Sequence, residues 1–91
     1  MTTTLTRGTQ ILYVPMHANG DTNHPDVEAG FVTSVRGDVA FCRYWSKHAP
    51  GELRTKANSE GTPVDSIVER DTVPQARVLA ALAAIDEEVR S

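Results

Sequence analysis

His17, Asp21, His24 and Asp26 fall within ten residues of one another, in the stretch MHANGDTNHPDVEAG. Imidazole nitrogens and carboxylate oxygens are ligands that zinc, manganese and iron accept. The spacing is H-x3-D-x2-H-x-D. Its two histidines do not stand at helical i, i+4 spacing, and no turn fixes two ligands on one side. Calcium fits less well, because the alternating oxygens and closing glutamate of an EF-hand loop are missing. The same residues also have local structural uses. Asn19-Gly20-Asp21 is strong turn chemistry, Asn23 adds side-chain-to-backbone bonding, and His24 is held extended by Pro25. Asp26 can accept backbone N–H groups where the next strand begins. The stretch therefore reads first as an ordered polar loop. His17, Asp21, His24 and Asp26 are the only candidates for a metal, and no cofactor is expected.

A second cluster lies in FCRYWSKHAPGELRTK, where Tyr44 and Trp45 end a strand-like run. Alternation places Arg43 on the face of Trp45, and Lys47, His48, Arg54 and Lys56 follow. Rings beside guanidinium and ammonium groups can stack bases or grip an acidic peptide. The structural alternative is that Trp45 closes the core while the charges solvate a loop. Cys42 lies inside the same run, where cysteine is usually a small buried hydrophobe. No neighbouring base supports a thiolate nucleophile. No catalytic constellation emerges, so the chain is expected not to be an enzyme.

The elements that carry these residues can be read from pattern. Ile11 to Val14 form a β-branched and aromatic run closed by Pro15. DVEAGFVTSVRGDVAFCRYW reads as a hairpin turning at Gly37. Val27, Ala29, Phe31, Thr33 and Val35 share one face, and Val39, Phe41, Arg43 and Trp45 alternate on the return strand. The Arg36-Gly37-Asp38 tripeptide is thus a turn rather than an adhesion motif. Residues 46–63 are polar and turn-rich, with Leu53 as the one apolar anchor at a short crossing segment. A last strand is expected through Val64, Ile67 and Val68. Pro74 starts a helix, with Thr72 as its cap. Val78, Leu82, Ile85 and Val89 recur at helical spacing with Leu79 beside them. Asp86, Glu87 and Glu88 have the wrong sign for a helix C-terminus, so the last turn is expected to fray.

These elements predict a mainly β protein with one C-terminal α-helix, a small antiparallel SH3-like (Src-homology-3-like) barrel. The expected organisation is a flexible N-terminus over 1–7 and a single domain over 8–91, with the barrel in 8–73 and the helix in 74–91. The apolar stripe of the helix is expected to pack on the barrel, with a homodimer through that stripe as the alternative.

Composition bounds the function. The chain has 91 residues, 40% hydrophobic and 23% charged, which is the balance of one small globular domain. A single cysteine excludes an internal disulfide and any multi-cysteine zinc site. No stretch approaches a membrane span or a signal peptide, so a cytoplasmic protein with no membrane partner is expected. The net charge of −3 hides a basic island. Residues 43–58 sum to +3, between flanks of −2 and −4. Overall acidity argues against non-specific nucleic-acid binding, which draws on many phosphate contacts.

Three blocks, YVPMHANGDTNHPDVEAGFVTS, FCRYW and LRTKANSEGTPVDSIV, together resemble a group of small bacteriophage and prophage proteins. The resemblance covers about Gly8 to Val68 with the blocks in the same order. It implies a phage-encoded protein acting in a bacterial cytoplasm and carries over no catalytic residue. EAGFVTS and the aromatic strand after it are also similar to strands of KOW- and Tudor-type barrels, a likeness of fold alone. The expectation is a non-enzymatic interaction module binding a host or phage protein. Its partner surface would combine Arg43, Tyr44, Trp45, Lys47, Arg54 and Lys56 with His17, Asp21, His24 and Asp26. The second reading is a nucleic-acid-binding accessory protein using the basic segment from Arg43 to Lys56.

Overall fold

The computed structural model describes residues 5–47, 52–54 and 59–90. Among the described residues are five antiparallel strands and one helix: β1 (Gln10–Tyr13), β2 (Glu28–Arg36), β3 (Val39–Tyr44), β4 (Glu60–Pro63), β5 (Ile67–Glu69) and α1 (Gln75–Arg90). Two 3-10 turns, Met16–Ala18 and Val64–Ser66, punctuate the connections. The strands form one sheet in the order β4-β3-β2-β1-β5.

The β2–β3 hairpin turns where the sequence places it, with Gly37 at a φ of 58°. The expected crossing at Leu53 is an antiparallel bridge to Trp45. The single strand expected through Val64, Ile67 and Val68 is instead divided. Thr62 and its neighbours pair with β3, the chain makes a 3-10 turn, and only Ile67 to Glu69 pair with β1. The segment around Glu60, expected as loop, is thus an edge strand.

That division forces the sheet to curl. Pro63 is paired at the end of β2 that holds Arg36, through Val39, whereas Ile67 is paired at the Glu28 end, through Tyr13. In a flat sheet those points would lie about 26 Å apart along the strands and about 19 Å across them. Three residues of 3-10 turn span about 6 Å. The turn is nevertheless bonded at both sides: Val64 N–H donates to Asp38 O at 2.9 Å, and Ser66 O accepts the Val14 N–H at 2.8 Å. So β2 must bend back on itself. Among the described residues, no ladder joins β4 to β5 directly.

Two local features permit the bend. The β2–β3 register shifts between Val32 and Ser34, leaving Thr33 as an extra residue in a bulge. Its hydroxyl donates to Phe41 O at 2.9 Å, which satisfies a carbonyl beside the disruption. The bulge also breaks strict alternation, so Val32 and Val35 face the same side. At Gly30 the strands approach closely: a Cβ there would lie 2.1 Å from Arg43 O. Any side chain would push β2 from β3.

Both faces of the sheet are covered. Ile11, Val32, Ala40, Cys42 and Tyr44 form the inner cluster, with Tyr13, Val64 and Ile67 packed against it. On the outer face Phe31 and Trp45 meet Val78 and Leu82 of α1, with Ile85 and Ala81 alongside. The helix thus packs on the sheet through the expected stripe, while Leu79 is exposed. The side chain of Val89 lies outside the described ones. Arg7 pairs with Asp86 at 2.6 Å, which offsets one of the acids near the helix end.

What fixes the helix approach is Gln10, only 2% exposed. Its Oε1 accepts the N–H groups of Thr72 and Val73, at 2.9 and 3.1 Å. Its Nε2 donates to Val73 O and Gln75 Oε1, at 2.8 and 3.0 Å. Gln75 Nε2 in turn donates to Gly8 O at 2.9 Å. Thr72, expected as a helix cap, thus contributes its backbone N–H to this network. Gln10→Leu keeps the volume but strands the N–H groups of Thr72 and Val73. Urea denaturation should show a loss of about 2–3 kcal/mol, whereas Ser34→Ala on the exposed face should change stability by under about 0.5 kcal/mol.

Candidate functional site

The loop from Met16 to Val27 is a chain of turns tied to the core by Ala18, which packs with Leu12 and Val14. Asn19 adopts the left-handed conformation at φ 51°, ending the 3-10 turn, and its N–H donates to Met16 O. Asp21 Oδ1 accepts the Asn23 N–H at 2.9 Å, the side-chain-closed turn expected of this residue type. Two further turns close as His24 N–H donates to Asp21 O and Val27 N–H donates to His24 O.

These turns bring His17, His24 and Asp26 together. Their ligand-type atoms all lie within 4.8 Å of one another, and Asp21 is not part of the group. Of the four residues expected to act together, three converge. Asp21 departs because its carboxylate serves the Asn23 turn. His17 Nε2 donates to Asp26 Oδ2 at 2.7 Å, and the two imidazoles meet edge to face with centroids 5.2 Å apart. His24 Nδ1 accepts the Asp26 backbone N–H at 3.0 Å, so a neutral His24 keeps its lone pair on that nitrogen. The hydrogen bond from His17 holds the Asp26 carboxyl below its ordinary range, helped by the positive fields of His17, His24 and Lys47.

Lys47 joins this loop to the second cluster, donating from Nζ to Pro25 O at 2.5 Å. Between them lies an open, largely apolar groove of about 340 Å³. Pro25, Val27, Trp45, Lys47, Thr72 and Val73 line it. Trp45 is 5% exposed, packs on Phe31 at 5.2 Å between centroids, and has an indole N–H without a hydrogen-bond partner among the described residues.

The rest of the aromatic–basic cluster is turned inward. Tyr44 belongs to the inner core, its hydroxyl 2.6 Å from Thr62 Oγ1, and burial pushes its phenol pKa up. Arg54 lies over the Tyr44 ring, 5.3 Å from its centroid. Its guanidinium pairs with Glu28 and, at 2.8 Å, with Glu60. Its charge is therefore matched within the chain, and the local basic excess read from sequence is smaller in space. Arg43 stands opposite Phe31 and is half-buried. Lys56 lies outside the described residues, as does His48. Cys42 is fully buried among the inner residues, and burial pushes its thiol pKa up, the opposite of an activated nucleophile. Among the described residues, no helix is long and apolar enough to cross a membrane.

The partners Glu28 and Glu60 went unread because neither is near Arg54 in a repeating pattern. Glu28 is 26 residues away, and only the sheet register brings it across. Met16, 89% exposed at the head of the loop, is a large apolar side chain that alternation alone does not place.

The His17–Asp26 bond has a measurable signature. Because the folded pKa of Asp26 is depressed, its stabilising contribution is present at neutral pH and is lost as pH falls through the folded midpoint. Carbon-detected NMR titration should place the Asp26 midpoint below that of an exposed aspartate, and His17→Ala should raise it. An unchanged midpoint would show that the bond is not formed in solution. Comparison with protein-family models, curated proteins and solved structures gives no match, so the functional reading rests on this geometry.

Proposed function

We propose that this chain is a non-enzymatic interaction module of phage type that binds a host or phage protein in a bacterial cytoplasm. The observation that carries the reading is the apolar groove between the polar loop and the segment before α1, with Trp45 in its wall and Lys47 at its rim. Apolar walls with a charged rim suit a peptide-like segment carrying an apolar anchor and a nearby acid. The buried Trp45 and the paired Arg54 act as supports of this surface. Met16, His17, Asp26 and Lys47 form its exposed part, with His24 half-buried among them.

The scaffold reading is a small SH3-like barrel. It is supported by the order β4-β3-β2-β1-β5 and by the short 3-10 turn that ties the two outer strands to Asp38 and Val14. In such a barrel the loops at one end carry recognition while the strands hold them rigid.

A pull-down from bacterial lysate tests the reading. The tagged chain should retain one stoichiometric protein, and Lys47→Glu should reduce its recovery by about tenfold without changing the melting temperature, since reversing a rim charge sets like charges against each other. Recovery of nucleic acid alone, released by salt, would contradict it and favour the nucleic-acid reading.

A further inference from the structure

We propose that His17, His24 and Asp26 form a binding site for a borderline transition-metal cation, with zinc the ion whose preferences they match. The proposal stands whether or not the groove binds a partner. Two imidazoles and one carboxylate are a nitrogen–oxygen donor set that zinc accepts with three protein ligands and a water. Calcium and magnesium call for six or more oxygens, and cuprous ion calls for sulfur. The only thiol, Cys42, is sealed in the inner core.

The distances suit such an ion. Tetrahedral zinc with bonds of about 2.0–2.1 Å sets its ligand atoms about 3.3 Å apart. His17 Nε2 and Asp26 Oδ2 are at 2.7 Å, and no pair in the cluster exceeds 4.8 Å. Closing the remaining gap requires side-chain rotation, for which the exposed His17 and Asp26 have room. The backbone need not rearrange, because the 3-10 turn and the Asp21–Asn23 turn already hold the three residues on one side.

Binding balances simply. The ion displaces the Nε2 proton of His17, which passes to Nδ1 of the same ring or to solvent, and bridges that nitrogen to Asp26 Oδ2. It also takes a ring-nitrogen lone pair of His24; taken at Nδ1, it releases the exposed Asp26 N–H to water. Protons and metal therefore compete for the same lone pairs, and acid weakens binding. Lys47 opposes the ion, since its ammonium is held on Pro25 O, between His24 and Asp26 in the chain. Bound metal would clamp the first 3-10 turn to the residues that lead into β2.

The test is calorimetric titration of the full chain, freed of metal with EDTA, with zinc chloride at near-neutral pH. One equivalent should bind. His17→Ala, His24→Ala and Asp26→Asn should each weaken binding by at least about tenfold, and Asp21→Asn should leave it unchanged. Lys47→Gln should tighten binding severalfold, a gain that misfolding cannot mimic. With cobalt chloride in place of zinc, the visible spectrum should be that of four-coordinate nitrogen–oxygen ligation without a thiolate charge-transfer band. Absence of binding at submillimolar zinc, binding that survives in the His17→Ala/His24→Ala double variant, or a thiolate band would each overturn the site.

Discussion

The carboxamide of Gln10 is the interaction on which the arrangement of this small protein turns. It uses both its acceptor directions and both its donor hydrogens on the segment that leads into α1 and on the first residue of that helix. A buried amide left half-satisfied costs more than an apolar side chain, so the network is either complete or a liability. Because it is complete, the chain before the helix lies along β1, and α1 descends over Phe31 and Trp45. The same segment supplies Thr72 and Val73 as one wall of the groove. Helix docking and the candidate recognition surface thus have one cause.

The second constraint is the short connection between β4 and β5. Three residues join strands on opposite edges of the sheet, so β2 has to bend, and the Thr33 bulge and Gly30 are where the bend is accommodated. At the Glu28 end of the sheet the Met16–Val27 loop and the segment after β3 meet through Lys47 and Pro25. A domain of this size has little core to spare, and it shares Trp45 between core packing and groove wall.

Much of this was legible in the sequence where a local rule decides the outcome. Gly37 marks the hairpin, Pro74 the approach to the helix, and Val78, Leu82 and Ile85 the buried stripe. The division of the last strand was not legible, because EGTPVDSIVE contains Gly, Pro and too few residues per strand for a period to show. The bulge at Thr33 hides for a similar reason, since one extra residue shifts alternation without changing composition. Long-range polar pairs are the least visible. Nothing local in TQILY announces that Gln10 serves residues more than sixty positions away, or that Arg54 is matched by Glu28 and Glu60. The loop shows both sides of this: His17, His24 and Asp26 converge, while Asp21, of the same residue type and equally near in sequence, is drawn into a turn.

The central claim is that the Gln10 amide holds the Thr72–Val73 segment to the sheet, and native-state hydrogen exchange measured by NMR reads those bonds directly. The Thr72 and Val73 amide protons should exchange as slowly as the paired amides of β1 and β2, through the same global opening. Exchange of both at the rate of the exposed loop at Asp21–Asn23 would contradict it.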